Sequence, residues 1–578
     1  MSAPSTSAVE RLIRPRSVAI VGASSDASRT AGRPLRYLLK HGYTGTILPV
    51  NPRADAIEGI QCYPSVSALP QAPDMALVLV GPDLVTDAIR DLASLGTPAA
   101  VVLAGGYAEV SETGARRQRE LKEAAGPMRL LGPNTIGLVN VADGTALSPS
   151  VALELAPLTV GKVGLASQSG GILGSVLSRA EARGIGFSRL VGTGNEADLE
   201  VCDVVEFLLE DEATSVIALY LEGLRNVPRF RQLATRAAEI GKPIVAFKVG
   251  RSELGARSAS SHTGALAGSD RVYDALFEQH GVIRAATFSD LLDVSGTLAA
   301  GRRLQGKRMA VLTSTGGAGV LVADACGASG FEAPDPDRET VERLSAALVG
   351  DAEMATRNPV DVTLAGLNSN VFRSCISALL ASPSYDALVV IVGSSGLAQP
   401  ELAGGPVLEA VAGSEKPLLV YVSPGAPSIV QYLNRQGVPA FESPEGCAAG
   451  LAALAHTTGA MNQGAINRAP TAADLVRAQF IAPPGGAPPG GAPPDSAPPS
   501  APHRLGSLAT FSGRLNESES QRLFARFGIP SVQERPAQSP TAAAEAARAI
   551  AGPNGRVVLK ALARDLAHKS EAGGVLVG

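Results

Sequence analysis

SVAIVGASSDASRTAGRPLRYLLKHGYTGTILPVNP, residues 17–52, begins as a short apolar strand and turns at a glycine followed by small polar residues. It then runs through a helical pattern and ends on a second apolar strand. Strands that are apolar at every position are covered on both faces, and a helix between two of them makes a parallel crossover. The alternation continues through MALVLV (75–80), LVTDAIRDLASLG (84–96) and AAVVLAGG (99–106), and RLLGPNTIGLVN (129–140) closes the unit. These segments predict a doubly wound parallel α/β sheet over residues 8–145.

Outward from it, a second α/β unit is expected over 155–300. It starts at GKVGLASQSGG (161–171) and includes VIALYLEG (216–223), PIVAFKVG (243–250) and a Gly/Ser-rich stretch, SASSHTGALAGSD (258–270). A third, over 305–465, starts at KRMAVLTSTGGAG (307–319) and includes ALVVIVG (387–393) and PLLVYVS (417–423). GLASQSGGILGSVLS and AVLTSTGGAGVLVAD align as strand, small polar residues, Gly-Gly and helix, which reads as an internal duplication. Residues 481–506 are Pro/Gly/Ala-rich and predict an extended linker. The remaining 513–578 holds a helix ending at Gly528 and a strand at RVVLKAL (556–562), and is barely long enough for a core of its own.

Composition excludes several classes. Fifty Lys and Arg against 54 Asp and Glu leave no basic surplus to follow a phosphate backbone, so no nucleic-acid partner is expected. The absence of Trp removes most stacking platforms. Cys62, Cys202, Cys326, Cys375 and Cys447 are widely spaced, which argues against structural zinc and disulfides and for a reduced, cytoplasmic setting. The N-terminal segment lacks an apolar signal core, and no run of about 18 apolar residues predicts a membrane span.

The loops after the first strands carry the chemistry. GASSDASRTAG (22–32) puts backbone N–H groups near a helix start, where a pyrophosphate can bind. At the end of the second strand stand Asn51 and Pro52, where a nicotinamide site would hold an acid for the ribose. That favours another nucleotide over NAD. SQSGG (167–171) and TSTGGAG (313–319) each open a helix with free N–H donors suited to a phosphoryl group. His262 is the one histidine of six set among Ser, Thr, Gly and Ala. Neutral imidazole attacks phosphorus well when a carboxylate orients it, and Glu222, at a buried strand end, is the candidate. A solvated loop histidine and a strand-end surface glutamate are the plain alternatives. Lys560 and His568, in and after the last strand, are a weaker phosphate-binding signal.

Taken together, VAIVGAS, ILPVNP, RLLGPNTIGLVN, GLASQSGG, GNEADLEVCDVVEFLLED, SSHTGALAGSD, LTSTGGAG, NPVDVT and VLKALARDLAHKSEAGGV resemble the NDP-forming acyl-CoA synthetase superfamily. That superfamily includes succinyl-CoA synthetase and the ADP-forming acetate–CoA ligases. The resemblance implies a CoA-binding Rossmann-like domain, two flavodoxin-like domains and the start of an ATP-grasp domain. It implies ligation of CoA to a small carboxylic acid, with ATP giving ADP and phosphate through an acyl phosphate and a phosphohistidine. His262 matches the phosphorylated histidine and Glu222 the carboxylate that orients it. Ser167, Ser169, Gly170 and Gly171, and Thr315, Gly316, Gly317 and Gly319, match two helix ends that bind the phosphohistidine. Gly22, Ser24, Ser25, Arg29, Gly32, Asn51, Pro52, Gly105, Pro133 and Asn134 match the CoA domain. Lys560 matches a nucleotide contact and His568 a second phosphate relay.

Thr135 stands where succinyl-CoA synthetases carry a cysteine. The sequence stops just after HKSE, without the rest of an ATP-grasp domain and its carboxylates for Mg²⁺: either it is a piece of a longer chain, or a separate chain completes the site, or the nucleotide half has been lost. A homo-oligomer is the other assembly expected. The competing reading is a CoA-sensing module without turnover, which would need neither His262 nor Glu222. Replacing Gly22 with a bulky residue is expected to weaken CoA binding by blocking backbone approach; unchanged affinity in a titration would remove that loop from the site.

Overall fold

The computed structural model describes residues 7–462, apart from 156, 256, 258–269, 349–354, 363–367 and 394–399, together with 535, 537, 539–551, 558–560 and 575–577. The chain forms two compact units, Met1–Arg477 and Ala478–Gly578. The expected linker and most of the expected C-terminal domain lie outside the described residues. In the second unit the strand Val558–Lys560 pairs antiparallel with Val575–Val577.

Among its described residues the first unit has three sheets of five or more strands and one two-stranded hairpin. In the first, β1 (Ser17–Val21), β2 (Thr46–Val50), β5 (Met75–Val78), β6 (Ala99–Val102) and β7 (Arg129–Leu131) lie in the order β2-β1-β5-β6-β7, all parallel. A small hairpin, β3 (Ala56–Ile57) and β4 (Ile60–Gln61), sits apart from it. β1 is buried along its length, as its Val/Ala/Ile sequence demands.

The second sheet is built from β8 (Leu138–Asn140), β9 (Thr145–Leu147), β10 (Val160–Ser167), β11 (Phe187–Gly192), β12 (Val216–Leu221), β13 (Ile244–Lys248) and β14 (Ile283–Arg284). Its order is β14-β13-β12-β10-β11-β8-β9. The third has β16-β15-β17-β18-β19, from β15 (Met309–Thr313), β16 (Val360–Asp361), β17 (Ala387–Val392), β18 (Leu418–Val422) and β19 (Ala440–Phe441), all parallel. Counted by its parallel strands alone, each sheet has the second strand at one edge, the first beside it, then the third, fourth and fifth. That order places the loop after each first strand at the point where the chain reverses direction across the sheet, the usual crevice for a ligand.

Within the 8–145 expected for the first unit, Leu138–Asn140 and Thr145–Leu147 pair in the second sheet. There β8 pairs antiparallel with β11, and β9 with β8. The chain crosses between sheets at residues 132–137, where Gly132 and Gly137 take positive φ angles of 102° and 89°. An apolar triplet such as LVN reads as a strand but does not name its partner.

Two cores cross these boundaries. One joins Leu12, Ile20 and Leu77 to Val191, Val205 and Leu219. The other joins Leu165, Leu177 and Leu292 to Val311, Val389 and Leu451. A buried ion pair supports the first junction: Arg189, 1% exposed, reaches Asp211 at 3.3 Å and donates to Asn140 Oδ1 at 2.6 Å. Arg14, from the N-terminal helix Ala8–Ile13, also bonds Asp211.

A Cβ on Gly137 would lie 2.0 Å from the carbonyl oxygen of Leu147. Gly137→Ala is therefore expected to destabilise the chain by roughly 3 kcal/mol, through left-handed backbone strain and the clash. Thermal unfolding checks this; an unchanged midpoint would contradict the crossover geometry.

Candidate functional site

β10 ends at Ser167, and the helix Gly170–Arg183 starts three residues later with Ser169 as N-cap. Ser169 makes no side-chain cap, so the first-turn N–H groups of this helix lack that partner. Ser167 Oγ donates to the Ser169 carbonyl at 2.9 Å, fixing the turn. The third sheet repeats the device. Thr313 Oγ1 donates to the Thr315 carbonyl at 2.8 Å, and Thr315 caps the helix Gly316–Ala328 without a side-chain bond. This shared hydroxyl bond and the shared strand order support the duplication read from the sequence.

A cavity of about 440 Å³ opens at the first of these helix starts. Ser169, Gly170, Gly171 and Glu222 line it, joined by Asn134, Thr135 and Ile136 from the crossover segment. Thr315, Gly316, Gly317 and Gly319 are not among its lining residues; the first three are exposed and Gly319 packs on Thr313 and Pro359. Ser167 is buried just behind it.

Gln168 holds the cavity wall together. Its Oε1 accepts from the N–H groups of Glu222 (2.6 Å) and Gly223 (3.0 Å). Its Nε2 donates to the Gly223 carbonyl (2.7 Å) and Glu196 Oε2 (3.1 Å). All four polar positions of the amide are thus used, and the chain just past β12 is tied to the loop that starts the helix.

Glu196 is 6% exposed, with φ at 52°. Burial pushes its carboxyl pKa up, against the downward pull of bonds from Gln168 and Thr193, the field of Arg225 and the Val201 N–H. Arg225 Nε lies 3.3 Å from it. Tyr273 OH accepts from Leu224 N–H at 3.0 Å and lines the same cavity.

The first sheet meets this cavity along its edge. Parallel strands end on one side, so Asn51 after β2, Gly22 after β1, Gly105 after β6 and Asn134 after β7 share that side. Asn51 Nδ2 donates to the Ala23 carbonyl at 2.7 Å, holding the loop that contains Gly22, Ser24 and Ser25. Arg29 pairs with Asp26 within that loop at 3.1 Å, while Gly32 is buried and Pro52 exposed. Gly22 has φ 88°, and a Cβ there would meet Val80 Cγ1 at 2.9 Å, so the backbone requires glycine whatever binds. A Cβ on Gly105 would lie 3.3 Å from Asn134 Oδ1, which puts those two side by side. Asn134 Nδ2 donates to Asn195 Oδ1 at 3.2 Å, and Pro133 is buried with its carbonyl bound by Asn195 N–H at 2.9 Å.

His262 and His568 lie outside the described residues, and of Lys560 only the backbone is described, opposite Val575. The segment that contains His262 leaves from β13, and the next described helix is Asp270–Gln279, which carries Tyr273. Sequence reading missed Gln168, Glu196, Arg225 and Tyr273. For Gln168 a signal was present: it is the one long side chain inside SQSGG.

These features define a class: an α/β protein of doubly wound sheets in which one cavity joins a strand-to-helix turn and Glu222. Residues 16–141 match the CoA binding domain, 160–298 the succinyl-CoA ligase like flavodoxin domain and 507–578 the ATP-grasp domain. The alpha subunit of ADP-forming acetate–CoA ligase II from Pyrococcus furiosus is 33% identical over 77% of this chain and 97% of its own length. ADP-forming acetate–CoA ligase I from Archaeoglobus fulgidus is 30% identical over 98% of this chain and 77% of its own. A Ca. Korarchaeum cryptofilum acetyl-coenzyme A synthetase, solved with phosphate and ADP, superposes with a TM-score of 0.72 at 32% identity. It covers 78% of this chain and 97% of that one. The chain belongs to the NDP-forming acyl-CoA synthetase superfamily, the family of the ADP-forming acid–CoA ligases.

Gln168→Leu keeps the volume but strands the Glu222 and Gly223 amides and one oxygen of Glu196. Hydrogen exchange of residues 220–224 is expected to accelerate by about tenfold or more. Unaltered protection would show that Gln168 does not hold this wall.

Proposed function

We propose that this chain performs the CoA and phosphohistidine chemistry of an ADP-forming acid–CoA ligase, acting on a small carboxylic acid. In the acyl-CoA-consuming direction, a phosphate oxygen attacks the thioester carbonyl and the C–S bond breaks. CoA leaves as thiolate and takes up a proton. A ring nitrogen of His262 then attacks phosphorus, the P–O bond to the acyl group breaks, and the carboxylate departs. The phosphoryl group finally passes from His262 to ADP, giving ATP, and the reverse sequence makes acyl-CoA.

The observation that carries this reading is the single cavity shared by Ser169–Gly171, Glu222 and Asn134. The helix start supplies N–H donors and a partial positive charge for the transferring phosphoryl group. Glu222 accepts the other ring N–H of His262, holding the attacking nitrogen neutral. Asn134 stands at the end of the strand-edge track Asn51, Gly22 and Gly105, along which CoA lies with its sulfur toward the cavity. Gln168 fixes Glu222 through the backbone. Thr315, Gly316, Gly317 and Gly319 form the second phosphate-binding helix start, used when the phosphoryl group leaves the first.

Nucleotide handling belongs to the C-terminal unit, through Lys560 and His568. The Pyrococcus relative is named as an alpha subunit, which supports completion by a separate ATP-grasp chain; a homo-oligomer of longer chains is the other arrangement. Among the described residues no three His, Cys, Asp or Glu side chains are grouped to hold a metal ion; Mg²⁺ would be held with the nucleotide by the carboxylates of a complete ATP-grasp domain. No helix of the described residues is long and apolar enough to cross a membrane; the setting we propose is cytoplasmic. Relatives are named for acetate and for 4-hydroxybutyrate, and both are small acids that a cavity of about 440 Å³ admits.

The test is phosphate incorporation. The full chain with acetyl-CoA and labelled phosphate is expected to take up acid-labile, base-stable label on His262. His262→Ala should take up none, and Glu222→Gln should label roughly 100-fold more slowly. A chain that binds CoA but takes up no label, from acetyl-CoA or from ATP with Mg²⁺ and a partner chain, would overturn the proposal in favour of a CoA sensor.

A further inference from the structure

Lys248 is the last residue of β13 and is 1% exposed. Its neighbour in register is Leu221, the last residue of β12, immediately before Glu222. A buried ammonium is costly unless its charge is compensated. Here Nζ donates to the Val249 carbonyl and sits over the Tyr273 ring, 4.8 Å from its centroid. The ring face attracts a cation, more strongly when the pair is desolvated. Burial lowers the lysine pKa; the charged groups that reach it are Asp270 and Glu222, which raise it, and Arg284, which lowers it. Arg284 is itself held by Asp270 at 2.5 Å and by Asp274.

Tyr273 carries the arrangement onward. Its ring lies on the ammonium, its hydroxyl accepts the Leu224 N–H, and it lines the cavity beside Glu222. The ammonium therefore sits at the end of β13 and its ring partner on the helix Asp270–Gln279, described elements on either side of residues 258–269. Through Leu224 both are tied to the chain that carries Glu222. A neutral apolar residue would fill the same space without a desolvation cost, so packing alone does not account for a lysine.

We propose that Lys248 is a positioning residue for phosphoryl transfer, its buried ammonium on the Tyr273 ring fixing the end of β13, the helix Asp270–Gln279 and the chain that carries Glu222 in mutual register. The proposal rests on the phosphohistidine reading of this same cavity. Its test compares Lys248→Met, which keeps length and removes charge, with wild type in the full chain, using acetyl-CoA and labelled phosphate. Expected is a fall of about tenfold or more in the maximal rate of label uptake, with the KM for acetyl-CoA within about twofold of wild type. Tyr273→Phe keeps the ring and the lysine but frees the Leu224 amide, and is expected to lower the same rate with the same unchanged KM. Wild-type rates in a folded Lys248→Met would overturn the proposal. Should that variant not fold, a wild-type rate in Tyr273→Phe would overturn it. A wild-type chain that takes up no label would instead remove the phosphohistidine reading beneath it.

Discussion

The backbone of residues 130–137 is hydrogen-bonded along its length to residues 192–199, and the cavity hangs from that seam. Leu199, Ala197 and Asn195 donate to Leu130, Gly132 and Pro133, and Gly192 donates to Gly137. Thr135 Oγ1 closes the seam on the Gly192 carbonyl at 2.6 Å. Glycine at 194 is required there, because a Cβ would fall 2.4 Å from the Pro133 oxygen. The edge of the first sheet is thereby locked against the end of β11 and the loop that follows it. A ligand spread along one sheet edge thus arrives at a fixed place beside Ser169 and Glu222.

Much of the fold was legible because fully buried parallel strands leave little latitude in composition. SVAIV, ALVVIV and LLVYV can satisfy both faces only inside a layered sheet. The loops were legible for a related reason: glycine and serine at a strand-to-helix turn mark close backbone approach. What stayed hidden was partnership. Nothing in LVN or TAL tells which sheet will take them: β8 adds antiparallel to β11 and β9 to β8, after a crossover with positive φ at Gly132 and Gly137. The continuity of the cores was equally hidden, since Leu138 and Leu147 pack with residues of the first sheet while pairing in the second.

The site divides along the same line. Glu222 and SQSGG were readable because each follows a strand, and the structure places both on one cavity. Gln168, Glu196 and Tyr273 were not, because their roles depend on neighbours distant in sequence: Gln168 bonds residues 28 and more than 50 positions away. A buried glutamate inside GNEAD looks like any turn acid until Thr193, Val201 and Arg225 are seen around it. TSTGGAG read as an equal partner of SQSGG, and its local hydrogen bond is indeed equivalent, yet the described cavity engages only the first copy.

The position of Thr135 has a consequence for chemoselectivity. All five cysteines are buried, and burial pushes every one of their thiols up in pKa. Thr135 offers the cavity a hydroxyl already committed to the Gly192 carbonyl. None of the five cysteines lines the cavity, so on the reading proposed above an acyl group held there would meet no protein thiol, and the thiolate reaching its carbonyl would be the one that CoA brings.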